Sequence, residues 1–240
     1  MIGCLCLHGF TGSPYEVEPL VHYLKEHTDW VIASPTFPGH DTGGRMEHVH
    51  FEEWIKTAEM ELRALEKKCD TIYVVGFSMG GMIAGYLAAN HKIDKLVLMS
   101  AAAYYVSPRQ LFLDIKQMVL DLFKGKIKDN ELFQRYMRKF RITPLSMTFQ
   151  FRRLIYNLRP YIEKIQTPTL ILQGECDGVV PKKSAHYIYD TIRSTEKELV
   201  FLPQSKHIIC HGTEQEDVIR HVFHFLTDKE PKVIKGEETS

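Results

Sequence analysis

Thr71-Ile72-Tyr73-Val74-Val75-Gly76-Phe77-Ser78-Met79-Gly80-Gly81 is a strand that breaks into a helix at a serine set between glycines. Ile72 to Val75 is a run of β-formers with the pattern of a buried strand, and Ile83 to Ala89 reads as a helix. Glycines two residues before and two after Ser78 leave room for a sharp turn in which a β-carbon would clash. A serine hydroxyl is a poor nucleophile until a neighbouring base takes its proton, so a serine displayed this way is a candidate nucleophile. A Gly/Ser turn without chemistry is the plain alternative.

Outward from this point the same alternation recurs. Apolar runs at Ile2 to Leu7, Trp30 to Ala33, Thr71 to Phe77, Lys95 to Met99, Thr169 to Leu172 and Lys197 to Leu202 are separated by helical segments. That order predicts an α/β chain with a mostly parallel sheet of about six strands flanked by helices. The first crossover helix has a start signal: Ser13 caps, Pro14 takes the first helical position, and Glu16 completes an S-x-x-E box. Val17, Leu20, Val21 and Leu24 then share one apolar face.

Residues 101–167 exceed what a crossover needs. They read as an inserted, largely helical cap between strands. Leu111, Phe112, Ile115, Met118, Val119, Leu122 and Phe123 share a helical face, Gly125 stops that helix, and further helices are expected around Glu131 to Phe140 and Leu145 to Leu158. The expected organisation is a core of residues 1–100 and 168–228, the cap, and a charged flexible tail at 229–240.

The bulk properties narrow the function classes. The 240 residues are 44% hydrophobic and 25% charged, which suits one globular domain. Thirty basic residues balance thirty acidic ones, so the chain lacks the positive field that nucleic-acid binding relies on. Five cysteines without C-x-x-C spacing read as reduced, mostly structural thiols. The apolar run after Met1 is too short to span a bilayer and lacks a signal-peptide pattern, so a cytoplasmic protein without stable membrane insertion is expected.

Where a serine is presented on a strand-to-helix turn, an acid and then a histidine follow it in chain order, each on the loop after a later strand. His207 meets that condition, placed after Glu198 to Leu202 on the loop Pro203-Gln204-Ser205-Lys206; His211 is its nearest rival among twelve histidines. Asp177 follows the strand Thr169 to Leu172, where a carboxylate would accept the imidazole N–H and fix its tautomer. Glu175 is the rival acid, and an Asp-Gly turn is the plain reading. An oxyanion needs donors already in place. The N–H of Met79 supplies one, and the N–H of Phe10, in Leu7-His8-Gly9-Phe10-Thr11-Gly12, is the natural second.

Taken together, His8-Gly9-Phe10-Thr11-Gly12, Gly39-His40, Gly76-Phe77-Ser78-Met79-Gly80-Gly81, Pro168-Thr169-Leu170, Asp177 ahead of Val180-Pro181, and Ser205-Lys206-His207 resemble the small bacterial carboxylesterases and monoacylglycerol lipases of the α/β-hydrolase superfamily. The resemblance runs from about Cys4 to Leu226. It implies the α/β-hydrolase fold with a small helical cap, Ser78, Asp177 and His207 as a catalytic triad, and Phe10 and Met79 as oxyanion donors. It also implies hydrolysis of short- to medium-chain esters or monoacylglycerols without a cofactor; a monomer or homodimer without a metal is expected. The edge strands that usually precede His8-Gly9 are absent from the sequence, and Asp41 replaces a frequent glycine at the pocket rim. An acyl thioesterase or amidase would use the same triad, and a catalytically silent binding protein is the reading from another class.

Other features have plainer explanations. The pair His48 and His50, with His40, lacks a ligand set at zinc-like spacing. Arg135, Arg138, Lys139, Arg141, Arg152, Arg153 and Arg159 read as solvated helix faces rather than an anion site. The methionines of the core and insert read mainly as packing.

Overall fold

A computed structural model describes residues 1–40, 49–105 and 145–229. Among them, β1 (Ile2–Leu7), β2 (Val31–Ala33), β3 (Thr71–Phe77), β4 (Lys95–Met99), β5 (Thr169–Gly174) and β6 (Lys197–Leu202) form one sheet in the order β2-β1-β3-β4-β5-β6. Every neighbouring pair is parallel, so the sheet expected to be mostly parallel is wholly so. Parallel sheets need both faces covered. Alternate residues of one strand accordingly enter different cores: Leu5 and Leu7 pack on one face, Cys4 and Cys6 on the other.

The first core takes α2 (Phe51–Glu66), α3 (Met79–Asn90), α4 (Leu145–Leu158) and α5 (Lys182–Thr191); the second takes α1 (Glu18–His27) and α6 (Gln215–Thr227). Three local expectations change. β5 runs two residues beyond Leu172, through Gln173 and Gly174, and α3 begins directly after Ser78. The start of the first crossover is a 3-10 turn, Pro14–Val17, leading into α1, and the Ser13 hydroxyl makes no capping bond. Glu16 is buried instead, with its Oε2 accepting from the Gly9 N–H at 2.8 Å. A buried N–H without an acceptor is costly, and the carboxylate answers Gly9 rather than completing a box with Ser13.

Of the expected insert, α4 is present as predicted and is followed by a 3-10 segment, Arg159–Lys164. Met147, Phe151, Leu154, Ile155 and Leu158 are buried in the first core, while Phe149 and Tyr156 face solvent. The helices expected around Leu111 to Phe123 and Glu131 to Phe140, the Gly125 stop, Asp41 with its expected effect on the pocket rim, His48 and the tail beyond Lys229 lie outside the described residues. Among the described residues no helix is long and apolar enough to cross a membrane. The five cysteines are free, and only Cys176 is exposed; burial pushes the Cys210 thiol up to about 12.

Candidate active site

Strand order reverses between β1 and β3, because β2 lies on one side of β1 and β3 on the other. In open parallel sheets the loops leaving the carboxyl ends of two such strands diverge. Register aligns those ends: Leu7 lies opposite Gly76, Phe77 opposite Met99, and Gly174 opposite Leu202. The loops carrying Phe10, Ser78, Asp177 and His207 therefore leave from one edge.

Ser78 sits between β3 and α3 with φ 53° and ψ −112°, a conformation that L side chains resist. Its backbone is held from several sides. The N–H donates to Met99 O at 2.9 Å, and the carbonyl accepts from the N–H of Gly81 at 3.1 Å and Ala102 at 3.2 Å. The flanking glycines are obligatory: a β-carbon on Gly76 would lie 2.3 Å from Gly80 O, and one on Gly80 would lie 2.4 Å from Leu7 O.

The Ser78 Oγ–H donates to His207 Nε2 at 3.0 Å, and His207 Nδ1–H donates to Asp177 Oδ2 at 2.8 Å. Burial of Asp177 acts to raise its pKa, but His207 and the N–H groups of Val180 and Val179 outweigh it and hold the carboxyl below its ordinary 3.8. An ionised Asp177 can only accept, so the Nδ1 proton is on the imidazole and Nε2 keeps its lone pair for Ser78. Asp177 Oδ1 takes the N–H of Val179 at 2.8 Å and of Val180 at 2.9 Å. The acid loop is zipped to the histidine loop by Glu175 N–H to Leu202 O at 2.9 Å and Cys176 N–H to Ser205 O at 3.0 Å. Glu214 braces the second loop from behind, accepting from Ser205 Oγ at 2.6 Å and the Gln204 N–H at 2.9 Å.

On the other side of Ser78, Gly9 to Gly12 form a turn closed by Gly12 N–H to Gly9 O at 3.2 Å, with Thr11 at φ 59°. A β-carbon on Gly9 would stand 3.1 Å from Ser78 Cβ, so the turn lies directly against the nucleophile. His8 anchors it. Its Nε2 accepts from the Phe37 N–H at 3.0 Å, which leaves Nδ1 to donate to Gly9 O at 2.8 Å. The Phe10 ring stacks on Phe151 of α4, centroids 4.8 Å apart, and tilts against Trp54 of α2 at 5.9 Å. Met79 is the first residue of α3, where an N–H has no intrahelical acceptor and the helix dipole favours negative charge.

The structure thus brings Ser78, His207 and Asp177 into one hydrogen-bonded line, with the Phe10 turn and the start of α3 beside it. The rivals are engaged elsewhere. His211 Nε2 donates to Tyr15 O at 2.6 Å, and Glu175 pairs with Lys182 at 2.8 Å. His50 lies beside Gln150, Nδ1 to Nε2 3.5 Å, and His40 packs among the rings of His8, Phe10 and Trp54. Sequence reasoning did not single out Gln173, Glu214 or the anchoring part of His8, and it read Glu16 as a helix cap. Gln173 carried one visible signal, an amide at the end of the apolar run Thr169 to Leu172.

A family model described as serine aminopeptidase, S33 matches residues 4–214. The chain is 31% identical to a thermostable monoacylglycerol lipase of Bacillus sp. (strain H-257), over 94% of this chain and 90% of that one. It is 27% identical to a carboxylesterase of Bacillus subtilis (strain 168), over 92% and 91%. Among solved structures, a metagenome-derived lipolytic enzyme superposes with a TM-score of 0.78 at 23% identity, covering 95% of this chain and 94% of that one.

Proposed function

Because the chain belongs to the α/β-hydrolase family described as serine aminopeptidase, S33, we propose that it is a carboxylic-ester hydrolase acting through Ser78, His207 and Asp177. The observation that carries this reading is the line from Asp177 Oδ2 to His207 Nδ1, 2.8 Å, and from His207 Nε2 to Ser78 Oγ, 3.0 Å. Short- to medium-chain esters and monoacylglycerols are the proposed substrates; likeness to a monoacylglycerol lipase and a carboxylesterase supports the ester and monoacylglycerol class.

His207 Nε2 takes the Ser78 proton as Oγ attacks the ester carbonyl, and negative charge moves to the carbonyl oxygen. The N–H groups of Phe10 and Met79 receive that oxyanion. Collapse breaks the C–O bond to the alcohol, which leaves with the proton from His207, and Ser78 remains acylated. Water then attacks the acyl group with His207 as base, and collapse releases the acid and returns the proton to Ser78. Asp177 stays ionised throughout and stabilises the imidazolium. The 101–167 insert serves as a cap, and α4, within its described residues, meets the Phe10 ring through Phe151.

Turnover of p-nitrophenyl esters by Ser78→Ala tests the assignment. The expected loss is on the order of 10⁴-fold or more, and wild-type turnover by that variant refutes it. Running the wild type on esters graded by acyl length, monoacylglycerols, acyl thioesters and anilides identifies the leaving group, since the same triad serves all of them.

A further inference from the structure

All six residues of β5, Thr-Leu-Ile-Leu-Gln-Gly, are buried. Hydrophobic patterning does not ask for an amide at the fifth position, yet Gln173 is fully buried there. Its Nε2 lies 3.0 Å from Asp177 Oδ2, 3.2 Å from Gly174 O and 3.2 Å from Val180 O. Three acceptors around one atom identify it as the NH₂, because the flipped amide would set its oxygen against a carboxylate and two carbonyls. The other end, Oε1, is buried without a hydrogen-bond partner. A side chain kept in the core with one end bare is there for what the other end does.

We propose that Gln173 is a positioning residue of the active site: its N–H on Asp177 Oδ2 fixes the rotation of the carboxylate and shares with His207 the oxygen that supports it. The inference rests on the triad reading above. Val179 and Val180 fill Oδ1, while Gln173 and His207 fill Oδ2, so four donors occupy the four acceptor positions of the carboxylate. Without Gln173 the charge of Oδ2 falls on His207 alone. The imidazolium is then held more tightly, and rotation of the carboxylate about its Cβ–Cγ bond is opposed by three donors instead of four. On the elements packed nearby, Glu175 is drawn to Lys182 and Glu214 to Ser205. Among the described residues, His207 is the titratable group that faces Asp177 directly.

Gln173→Met removes the donor and keeps an unbranched side chain of similar volume. Measured with a p-nitrophenyl ester across pH, it is expected to move the acid limb of kcat/KM upward by about half a pH unit and lower kcat by roughly tenfold, with KM within about twofold. Gln173→Glu keeps the shape and offers an O–H donor only while protonated. Its kcat is expected to fall as pH rises through ionisation of the introduced carboxyl, in the range where the wild-type kcat, which needs neutral His207, does not fall. Asp177→Asn, measured in parallel, is expected to lose on the order of 10³-fold or more. If Gln173→Met, or Gln173→Glu should the first not fold, keeps the wild-type pH profile and kcat while only Tm changes, Gln173 is a packing residue and the proposal is overturned with the triad intact. If Asp177→Asn turns over like the wild type, the triad reading fails and this inference fails with it.

Discussion

Ser78 stands in a backbone conformation, φ 53° and ψ −112°, that glycine adopts without strain and serine does not. The fold holds it there through Met99 O, Gly81 N–H and Ala102 N–H. Strain of about 1–3 kcal/mol exceeds the roughly 0.4–1 kcal/mol that glycine loses through a freer unfolded chain. Urea unfolding should therefore find Ser78→Gly more stable than Ser78→Ala by about 1 kcal/mol, both inactive; equal midpoints would show that the position is unstrained. At this scale Ser78, Asp177 and His207 were legible because each follows a strand within a few residues. Glu16 was misread because a local capping rule competed with a partner, Gly9, that only the folded turn presents. Gln173 could be seen as an amide beside an apolar run, but its partner could not, since that depends on the path of the loop from Gly174 to Val180.

The elements carry the site by close approach. α3 is buried on nearly all sides, and its small residues let it sit against the sheet. Gly80 faces the backbone of β1 and Gly81 faces Ala101, where added β-carbons would lie 2.4 Å from Leu7 O and 2.7 Å from Ala101 Cβ. A carbonyl on a central strand cannot retreat as a side chain can. Gly80→Ala should accordingly cost about 3 kcal/mol or more and displace the start of α3, read as a fall in Tm together with a loss of kcat. A variant with unchanged Tm would show that α3 can shift without penalty. Gly174 has the same part between the acid and histidine loops, where a β-carbon would meet Ser205 O at 2.4 Å. The glycine pattern around Ser78 was readable as a turn. That Gly80 serves β1, more than seventy residues away in sequence, was not.

Across the molecule, the site adds a pH term to stability. The Asp177 carboxyl is held below its ordinary 3.8 in the folded chain, so its contribution is fully present above that value and is lost as pH falls through the folded pKa. Urea midpoints of the wild type should decline below about pH 4, and the difference between wild type and Asp177→Asn should shrink over the same window. A difference that stays constant down to pH 2 would show that Asp177 is not depressed. The reversal of strand order between β1 and β3 has the wider consequence. It brings the Phe10 turn and the Ser78 turn side by side at one edge of the sheet.

Apolar strand runs, helix faces and the Gly-x-Ser-x-Gly turn depend on neighbours within about ten residues, so the linear chain already contained the succession of elements and the candidates Ser78, Asp177 and His207. Strand order, the wholly parallel pairing, the engagement of Glu16 with Gly9 and of Gln173 with Asp177 arose only on folding. Strand order and pairing are choices among distant partners, made by packing; the two side-chain contacts join residues only 7 and 4 apart, but they depend on the path of an irregular loop and on the cost of leaving a buried polar group unmet, and none of these is written in the spacing of residues along one strand or helix.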